Sequence, residues 1–220
     1  MYHFHIADDH PLFRSALLEI IHHQFNDVTI SESSDLESTF KALEEQKDID
    51  LLLLDLHMPG SQDLFGLINV REKFPSVPVA IVSANESANV IQRAMGHGAS
   101  GYIPKSASAK TLHSAIKALT KGERWLPPGV PNTPLVVSDE EKSLAAKVAT
   151  LTPQQYRVLC YLREGWLNKQ IGYELGVTEA TVKAHITVIF RKLGVSNRTQ
   201  AVIMLSQLTI DKEDSDNSTS

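Results

Sequence analysis

The sequence predicts an α/β domain on a doubly wound, five-stranded parallel sheet of order 2-1-3-4-5, followed by a small all-α domain of four helices with a helix-turn-helix. Three observations predict it. Short apolar runs alternate with helical sequence over the first 126 residues. Asp8 and Asp9, Asp55, Ser83 and Lys105 stand at the carboxyl ends of four of those runs. Residues 151–208 carry helical periodicity alone. Brief, nearly continuous apolar runs are the pattern of parallel strands buried on both faces, and their alternation with helices gives a parallel α/β sandwich.

The elements follow in order. Strand one is Tyr2–Ala7, and helix one runs from Pro11 to about Phe25, with Pro11 suited to the first helical position. Strand two is Val28–Ser33. Helix two, Leu36–Gln46, puts Leu36, Phe40 and Leu43 on one face. Strand three is Leu51–Leu54. Helix three covers about Leu64–Phe74 and stops before Pro75. Strand four is Val79–Val82, helix four about Ala88–His97 with Gly98 as its stop, and strand five Gly101–Pro104. Helix five, about Ala109–Thr120, turns Leu112, Ile116 and Leu119 to the sheet before Gly122 ends it.

Pro127, Pro128, Gly129, Pro131 and Pro134 fall within eight residues and mark an extended, rather stiff linker over 127–148. Asp139–Val148 can form a short helix inside it, capped by Ser138 or Asp139. In residues 149–208, Thr152 caps a helix that starts at Pro153, presents Val158, Leu159 and Leu162 inward and ends at Gly165. Asn168–Leu175 follows, with Ile171 and Leu175 inward. Gly176-Val177-Thr178 is a turn, and Thr178 caps the longer helix Glu179–Leu193, whose inward residues are Val182, Ile186, Ile189 and Leu193. Asn197 with Gln200 is a capping-box pattern for a fourth helix. A short helix, a Gly-containing turn and a longer helix form a helix-turn-helix. The tail, residues 209–220, is polar without apolar periodicity and is read as disordered.

Charge separates the halves. Residues 1–126 hold 11 Lys+Arg against 16 Asp+Glu, a net of −5, whereas residues 151–205 hold 7 against 3, a net of +4. Only the second half suits a polyanion. The single cysteine, Cys160, excludes an intrachain disulfide framework and is read as a buried core residue. The chain shows neither a signal-peptide pattern nor an apolar stretch of the ~20 residues that span a bilayer. The expectation is a soluble, cytoplasmic protein with no membrane partner.

In a sheet of this order the winding reverses between strands 1 and 3, and ligands bind there at the carboxyl ends of the strands. Asp8, Asp9, Asp55, Ser83 and Lys105 therefore converge on one edge. Three carboxylates, a hydroxyl and an ammonium fit Mg2+ and a phosphoryl group. Mg2+ takes octahedral oxygen ligands and keeps several waters, and phosphoryl transfer is mostly positioning and charge neutralisation. Asp55 is the best nucleophile candidate because it ends the central strand, leaving Asp8 and Asp9 to carry the metal. The competing reading makes Asp8-Asp9 a helix N-cap with a solvated turn, Asp55 a turn residue and Tyr102 a packed strand aromatic. The nine histidines, including His3, His5, His22 and His23, are read as scattered and solvated, since no acid or cysteine partner stands at zinc spacing.

Ala7-Asp8-Asp9-His10-Pro11, Asp55-Leu56-His57-Met58-Pro59-Gly60, Ser83-Ala84 and Gly98-Ala99-Ser100-Gly101-Tyr102-Ile103-Pro104-Lys105 resemble the receiver domain of bacterial response regulators, over residues 1–126. That resemblance implies the flavodoxin-like winding. It implies Asp55 as phosphoacceptor, and Mg2+ held by Asp8, Asp9, Asp55 and the backbone carbonyl of His57. It further implies Lys105 on the phosphoryl group and Ser83 with Tyr102 as a switch pair. Asp63 stands where the family usually has Gly, Ser83 replaces the commoner Thr, and the His57 side chain lies beside the acceptor.

Leu151-Thr152-Pro153, Glu164-Gly165, Asn168-Lys169-Gln170-Ile171, Thr181-Val182-Lys183-Ala184-His185 and Lys192-Leu193-Gly194-Val195-Ser196-Asn197-Arg198-Thr199 resemble the LuxR-type DNA-binding domain. Gln155 and Arg157 replace acids common in its first helix. Together the halves resemble a NarL/FixJ-type response regulator. Lys183, Ala184 and Thr187 point away from the core pattern, as base-edge contacts must. The resemblance adds Thr181 to the DNA-facing set and puts Lys169, His185, Arg191 and Lys192 near phosphates. The implied partners are double-stranded DNA, a sensor histidine kinase, a second copy of the phosphorylated chain, and RNA polymerase. The implied function is transcription regulation by phosphorylation, not enzymatic turnover. Two other classes are weighed against it. A Mg2+-dependent phosphohydrolase needs a general acid and a cap domain, for which His57 is the only nearby group and no length remains. A constitutive DNA-binding protein leaves the complete acceptor set unexplained.

Overall fold

Five strands, β1 (Tyr2–Ala7), β2 (Val28–Ser33), β3 (Leu51–Asp55), β4 (Val79–Ser83) and β5 (Gly101–Pro104), pair in parallel in the order β2-β1-β3-β4-β5. The computed structural model describes residues 1–46, 48–131 and 137–208. Between the strands lie α1 (Pro11–Gln24), α2 (Leu36–Glu45), α3 (Phe65–Lys73), α4 (Ala88–Gly96) and α5 (Ala109–Leu119). The chain divides into two compact units, residues 1–142 and a second that begins at Ser143. Pro134 and the polar tail 209–220 lie outside the described residues.

Side chains alternate across a strand, and the sheet uses that alternation to build two cores. Phe4 and Ile6 of β1, Leu51 and Leu53 of β3, Ala80 and Val82 of β4 and Ile103 of β5 pack with Leu17 and Ile21 of α1 and Leu112, Ala115, Ile116 and Leu119 of α5. Leu36, Phe40 and Leu43 of α2, Leu67 and Val70 of α3 and Ile91 and Ala94 of α4 are buried as well. Beyond α5 the chain returns to the open side of β5. The Tyr102 N–H donates to the Trp125 carbonyl, and the Trp125 N–H donates to the Ser100 carbonyl. Such pairing blunts an exposed sheet edge.

The solvated-histidine reading fails at His5, which is fully buried. β1 and β2 pair with His5 opposite Ser31, so His5 shares a face with the hydroxyls of β2. Its ring bonds Ser31 Oγ at 2.7 Å and Ser33 Oγ at 2.9 Å, and Ser33 bonds Thr39 at 2.6 Å. Burial, aided by the neighbouring His3, lowers the His5 pKa from 6.5 to about 4. The folded protein thus refuses a proton that the unfolded chain accepts below pH 6.5. Stability is fully present above that pH and is lost as the pH falls toward 4. A shift of this size corresponds to on the order of 3 kcal/mol. Urea melts should show the first unit's midpoint falling between pH 6.5 and 5, with a flatter profile for His5→Gln. An equal slope in both proteins would assign the loss to other groups.

A helix precedes the second bundle. α6 (Asp139–Ala149) lies within the linker range, where the sequence allows a helix. In the first unit, Glu141 of α6 reaches α4, 3.1 Å from Arg93 Nη2 and 3.0 Å from His97 Nε2. Burial raises the Glu141 pKa, but the bonds from His97 and Arg93 outweigh it and hold the carboxyl below its ordinary value.

The second unit carries α7 (Pro153–Arg163), α8 (Asn168–Leu175), α9 (Glu179–Leu193) and α10 (Arg198–Ser206). Thr152 and Gln155 form a capping box at the start of α7. Thr178 accepts from the Thr181 N–H at the start of α9. At α10 only half of the predicted box forms. Asn197 accepts from the Gln200 N–H at 2.9 Å, but Gln200 reaches back to the Ser196 N–H rather than to that of Asn197. The α8–α9 turn requires glycine twice. Gly176 sits at φ 65°, and a Cβ on Gly172 would meet the Val177 carbonyl oxygen at 2.8 Å. Val158, Leu159, Leu162, Ile171, Val182, Ile189 and Leu193 are buried, as is Cys160, whereas Leu175 and Ile186 are only half-buried. Among the described residues no helix is long and apolar enough to cross a membrane.

Candidate phosphoacceptor site and nucleic-acid interface

The parallel register brings the acids together. Ala7 pairs with Leu54, and Asp55 with Val82, so the residues that end β1, β3 and β4 share one edge. Asp8 and Asp55 are each 2% exposed. Two buried carboxylates side by side repel, and unpaired burial of a charge is costly. Lys105, which follows β5, resolves this. Its ammonium lies 2.7 Å from Asp8 Oδ2 and 2.9 Å from Asp55 Oδ2, over the Phe13 ring. Burial alone would lower the Lys105 pKa, but the bonds and charges of Asp8 and Asp55 reverse that and raise it above the ordinary lysine value.

The helix-cap reading does not describe Asp8 or Asp9. The N-cap of α1 is His10, without a side-chain cap bond. Asp8 Oδ1 instead accepts from the His10 N–H at 2.8 Å, and Arg14 Nη1 donates to the Asp8 carbonyl at 2.6 Å. Asp8 Oδ2 and Asp9 Oδ1 are shut off from solvent and accept no hydrogen bond of good geometry. Among the described residues each has a cationic or cationisable neighbour, Lys105 for Asp8 and His10 Nδ1 at 2.8 Å for Asp9. Ligand atoms of Asp8, Asp9, His10 and Asp55 all lie within 4.8 Å of one another. That arrangement fits a divalent cation. The His57 N–H donates to Asp55 Oδ1 at 3.2 Å, and the Ser61 hydroxyl donates to the Asp55 carbonyl at 3.2 Å, which holds the loop after β3 against the acceptor. Asp63 takes φ 54° in that loop, a left-handed conformation that suits the family's usual glycine and that Asp tolerates better than most residues.

Ser83 is fully buried at the end of β4, and its Oγ accepts from the Asn85 N–H at 3.2 Å. Tyr102 is also fully buried and donates from its hydroxyl to the Asn85 carbonyl at 2.5 Å. Burial pushes the Tyr102 phenol up to about 12, so it remains a donor throughout the neutral range. Asn85 joins Ser83 and Tyr102, and no motif in the sequence singled it out.

In the second unit, Lys183, Ala184, Thr187 and Arg191 are exposed on α9, and Lys169 is exposed on α8. Thr181 and His185 are half-buried. Lys183 pairs with Glu179 at 2.8 Å. The Glu179 carboxyl is held low by the Lys183 hydrogen bond and charge, with a further contribution from Lys169, so the two lysines share a neighbourhood. Lys192 differs. Its ammonium donates to the Thr150 carbonyl at 2.6 Å and to Gln155 at 2.8 Å, tying α9 to the start of α7. Arg198 is likewise engaged, donating to the carbonyls of Leu162 at 2.9 Å and Trp166 at 2.8 Å.

The model of the response regulator receiver domain matches residues 4–117, and that of the bacterial regulatory proteins of the luxR family matches residues 149–205. The chain belongs to the response regulators that join a receiver domain to a LuxR-type DNA-binding domain. This response regulator is 41% identical over 208 residues to the glycerol metabolism activator of Pseudomonas putida, covering 92% of this chain and 94% of that one. It is 30% identical over 205 residues to the nitrate/nitrite response regulator NarL of Escherichia coli strain K12, covering 92% and 94%. Among solved structures it resembles RcsB of Salmonella enterica serovar Typhimurium bound to promoter P1flhDC in the presence of the phosphomimetic BeF3−. The TM-score is 0.55 at 25% identity, covering 94% of this chain and 99% of that one. The response regulator is thus a two-component protein of the NarL type.

Proposed function

We propose that Asp55 accepts a phosphoryl group from a sensor histidine kinase and that this controls dimerisation and sequence-specific DNA binding. The observation that carries the reading is the nearly solvent-free cluster of Asp8, Asp55 and Lys105 at one sheet edge. A carboxylate oxygen of Asp55 attacks phosphorus while the donor's bond to phosphorus breaks. Asp8, Asp9, Asp55 and the His57 carbonyl would hold Mg2+, which neutralises charge between the carboxylates and the incoming phosphoryl oxygens. Lys105 exchanges its Asp55 contact for a phosphoryl oxygen, and Ser83 turns its hydroxyl to another. Phosphoryl acceptance, not substrate turnover, is the chemistry of the site.

The division of labour follows as part of the proposal: receiver over 1–126, linker over 127–148 and DNA-binding domain over 149–208, in a cytoplasmic protein. Lys183, Ala184 and Thr187 face the major groove. Thr181, Lys169, His185 and Arg191 lie toward the backbone, and Lys192 joins them only by leaving Thr150 and Gln155. A dimer sets two reading helices on half-sites roughly 34 Å apart, with RNA polymerase as the downstream partner. The Glu141 contacts with Arg93 and His97 fasten the first turn of α6 to α4, where a change around β4 and β5 is felt.

Gel shift and sedimentation of the full-length protein, with and without a small phosphodonor, test the gating. Phosphorylation should tighten specific DNA binding and shift monomer toward dimer, and Glu141→Gln should move the unphosphorylated protein part of the way. Equal affinity and mass with and without phosphodonor would show that phosphorylation does not gate this protein.

A further inference from the structure

Arg14 stands in the first turn of α1, where the exposed N–H groups of a helix already present positive charge and a cation is disfavoured. No acid shares that turn. The Arg14 N–H bonds the His10 carbonyl at 3.1 Å, one turn back toward the acids. The Arg14 side chain is 18% exposed and bonds two different segments. Nη1 donates to the Asp8 carbonyl at 2.6 Å, and Nε donates to Glu32 Oε2 at 3.0 Å. Glu32 belongs to β2 and pairs with Ile6 in the register of β1 and β2. Its neighbour Ser33 accepts from the Asp8 N–H at 3.1 Å. Both backbone groups of Asp8 are therefore tied to the end of β2, the N–H directly and the carbonyl through Arg14.

We propose that Arg14 is a positioning residue for the acceptor site. Anchored by Glu32, it grips the Asp8 carbonyl and so fixes the peptide that joins Asp8 to Asp9, the link that sets how both carboxylates are presented to Mg2+. The inference rests on the metal reading above and deepens it. A guanidinium fork can hold a carbonyl and a carboxylate at once, which fixes a direction as well as a distance. Arg14 itself touches neither the cation nor the phosphoryl group. Charge alone predicts the opposite sign of effect. A guanidinium beside the acids repels a divalent cation, so its removal would tighten Mg2+ binding if position were of no account. Groups that orient metal ligands usually change metal affinity by about 10–100-fold, and Octahedral Mg2+ is the more demanding because it tolerates little distortion.

The full-length protein should be titrated calorimetrically with MgCl2, beside Arg14→Ala and Arg14→Lys. Labelling by acetyl phosphate should be followed against Mg2+ concentration, and melting in EDTA recorded for all three. Arg14→Ala should bind Mg2+ about tenfold more weakly. Its labelling should need correspondingly more Mg2+ yet reach the parent's rate at saturation, because Asp55 and Lys105 are untouched. Arg14→Lys keeps a cation that can still donate to the Asp8 carbonyl, and it should recover most of the lost affinity. A purely structural role would lower the melting temperature in EDTA and leave Mg2+ affinity alone. Unchanged or tighter Mg2+ binding in Arg14→Ala, or Arg14→Lys binding no better than Arg14→Ala, overturns the positioning role while leaving the acceptor site standing. Failure of the parent to bind Mg2+ overturns the metal reading itself, and the Arg14 inference with it.

Discussion

Asp55→Asn should reduce phosphoryl labelling by acetyl phosphate or a kinase to background, the largest single-residue effect expected in this protein. An amide is not a nucleophile at neutral pH, and the change removes one of the charges that would hold a cation. The loss is chemical and not structural. Asn keeps the shape of Asp and an oxygen toward the His57 N–H, while its NH2 replaces the oxygen that faced Lys105, which retains Asp8 at 2.7 Å. Far-UV circular dichroism should therefore match the parent. Asp9→Ala should fail by a different route. Asp9 is 32% exposed and touches His10 rather than Lys105, so its loss should weaken the Mg2+ dependence of labelling while Asp55 remains competent. Labelling of Asp55→Asn at the parent's level would move the acceptor elsewhere.

The second large effect is expected from Lys183→Ala. Lys183 pairs with Glu179, four residues earlier on the same exposed helix face. Such a pair is worth little in water, so its release for DNA costs little. If Lys183 reads a base edge, the variant should lose about 1–3 kcal/mol of specific binding and relax preference at one position. If it meets phosphate, affinity for all sequences should fall together and the salt slope should drop by about one. Lys192→Ala provides the contrast. Its ammonium is occupied by Thr150 and Gln155, so its loss should lower the melting temperature of the second unit more than it weakens DNA. Unchanged affinity of Lys183→Ala for both specific and random DNA would remove that residue from the interface.

Most elements were legible because their signals are local. Apolar runs, Pro11 at a helix start, Thr152, Thr178 and Asn197 as caps, and Gly176 and Gly194 as stops act within a few residues. The observed helix ends differ from the expected ones by about a residue, as fraying ends allow. The convergence of Asp8, Asp55, Ser83 and Lys105 was legible too, because a parallel sheet of this order leaves the ends of its strands at one edge.

What the sequence alone determined, then, is the order of elements, the acids and the lysine at the strand ends, and the exposed strip of α9. Tertiary structure decided which of these groups touch. Lys105 bridges Asp8 and Asp55 across 97 and 50 residues of chain, a pairing fixed by two buried negative charges. His5 is buried because the β1–β2 register sets it opposite Ser31, with Ser33 on the same face also within hydrogen-bond reach of its ring, and burial keeps it neutral. Tyr102 lies inside because Asn85 offers its hydroxyl a carbonyl there. His10 turned from a neighbour of the acids into a member of their cluster, and Lys192, expected near DNA phosphates, is engaged as a strut between helices. Each depends on distances between segments remote in sequence, and local periodicity carries no information about those distances.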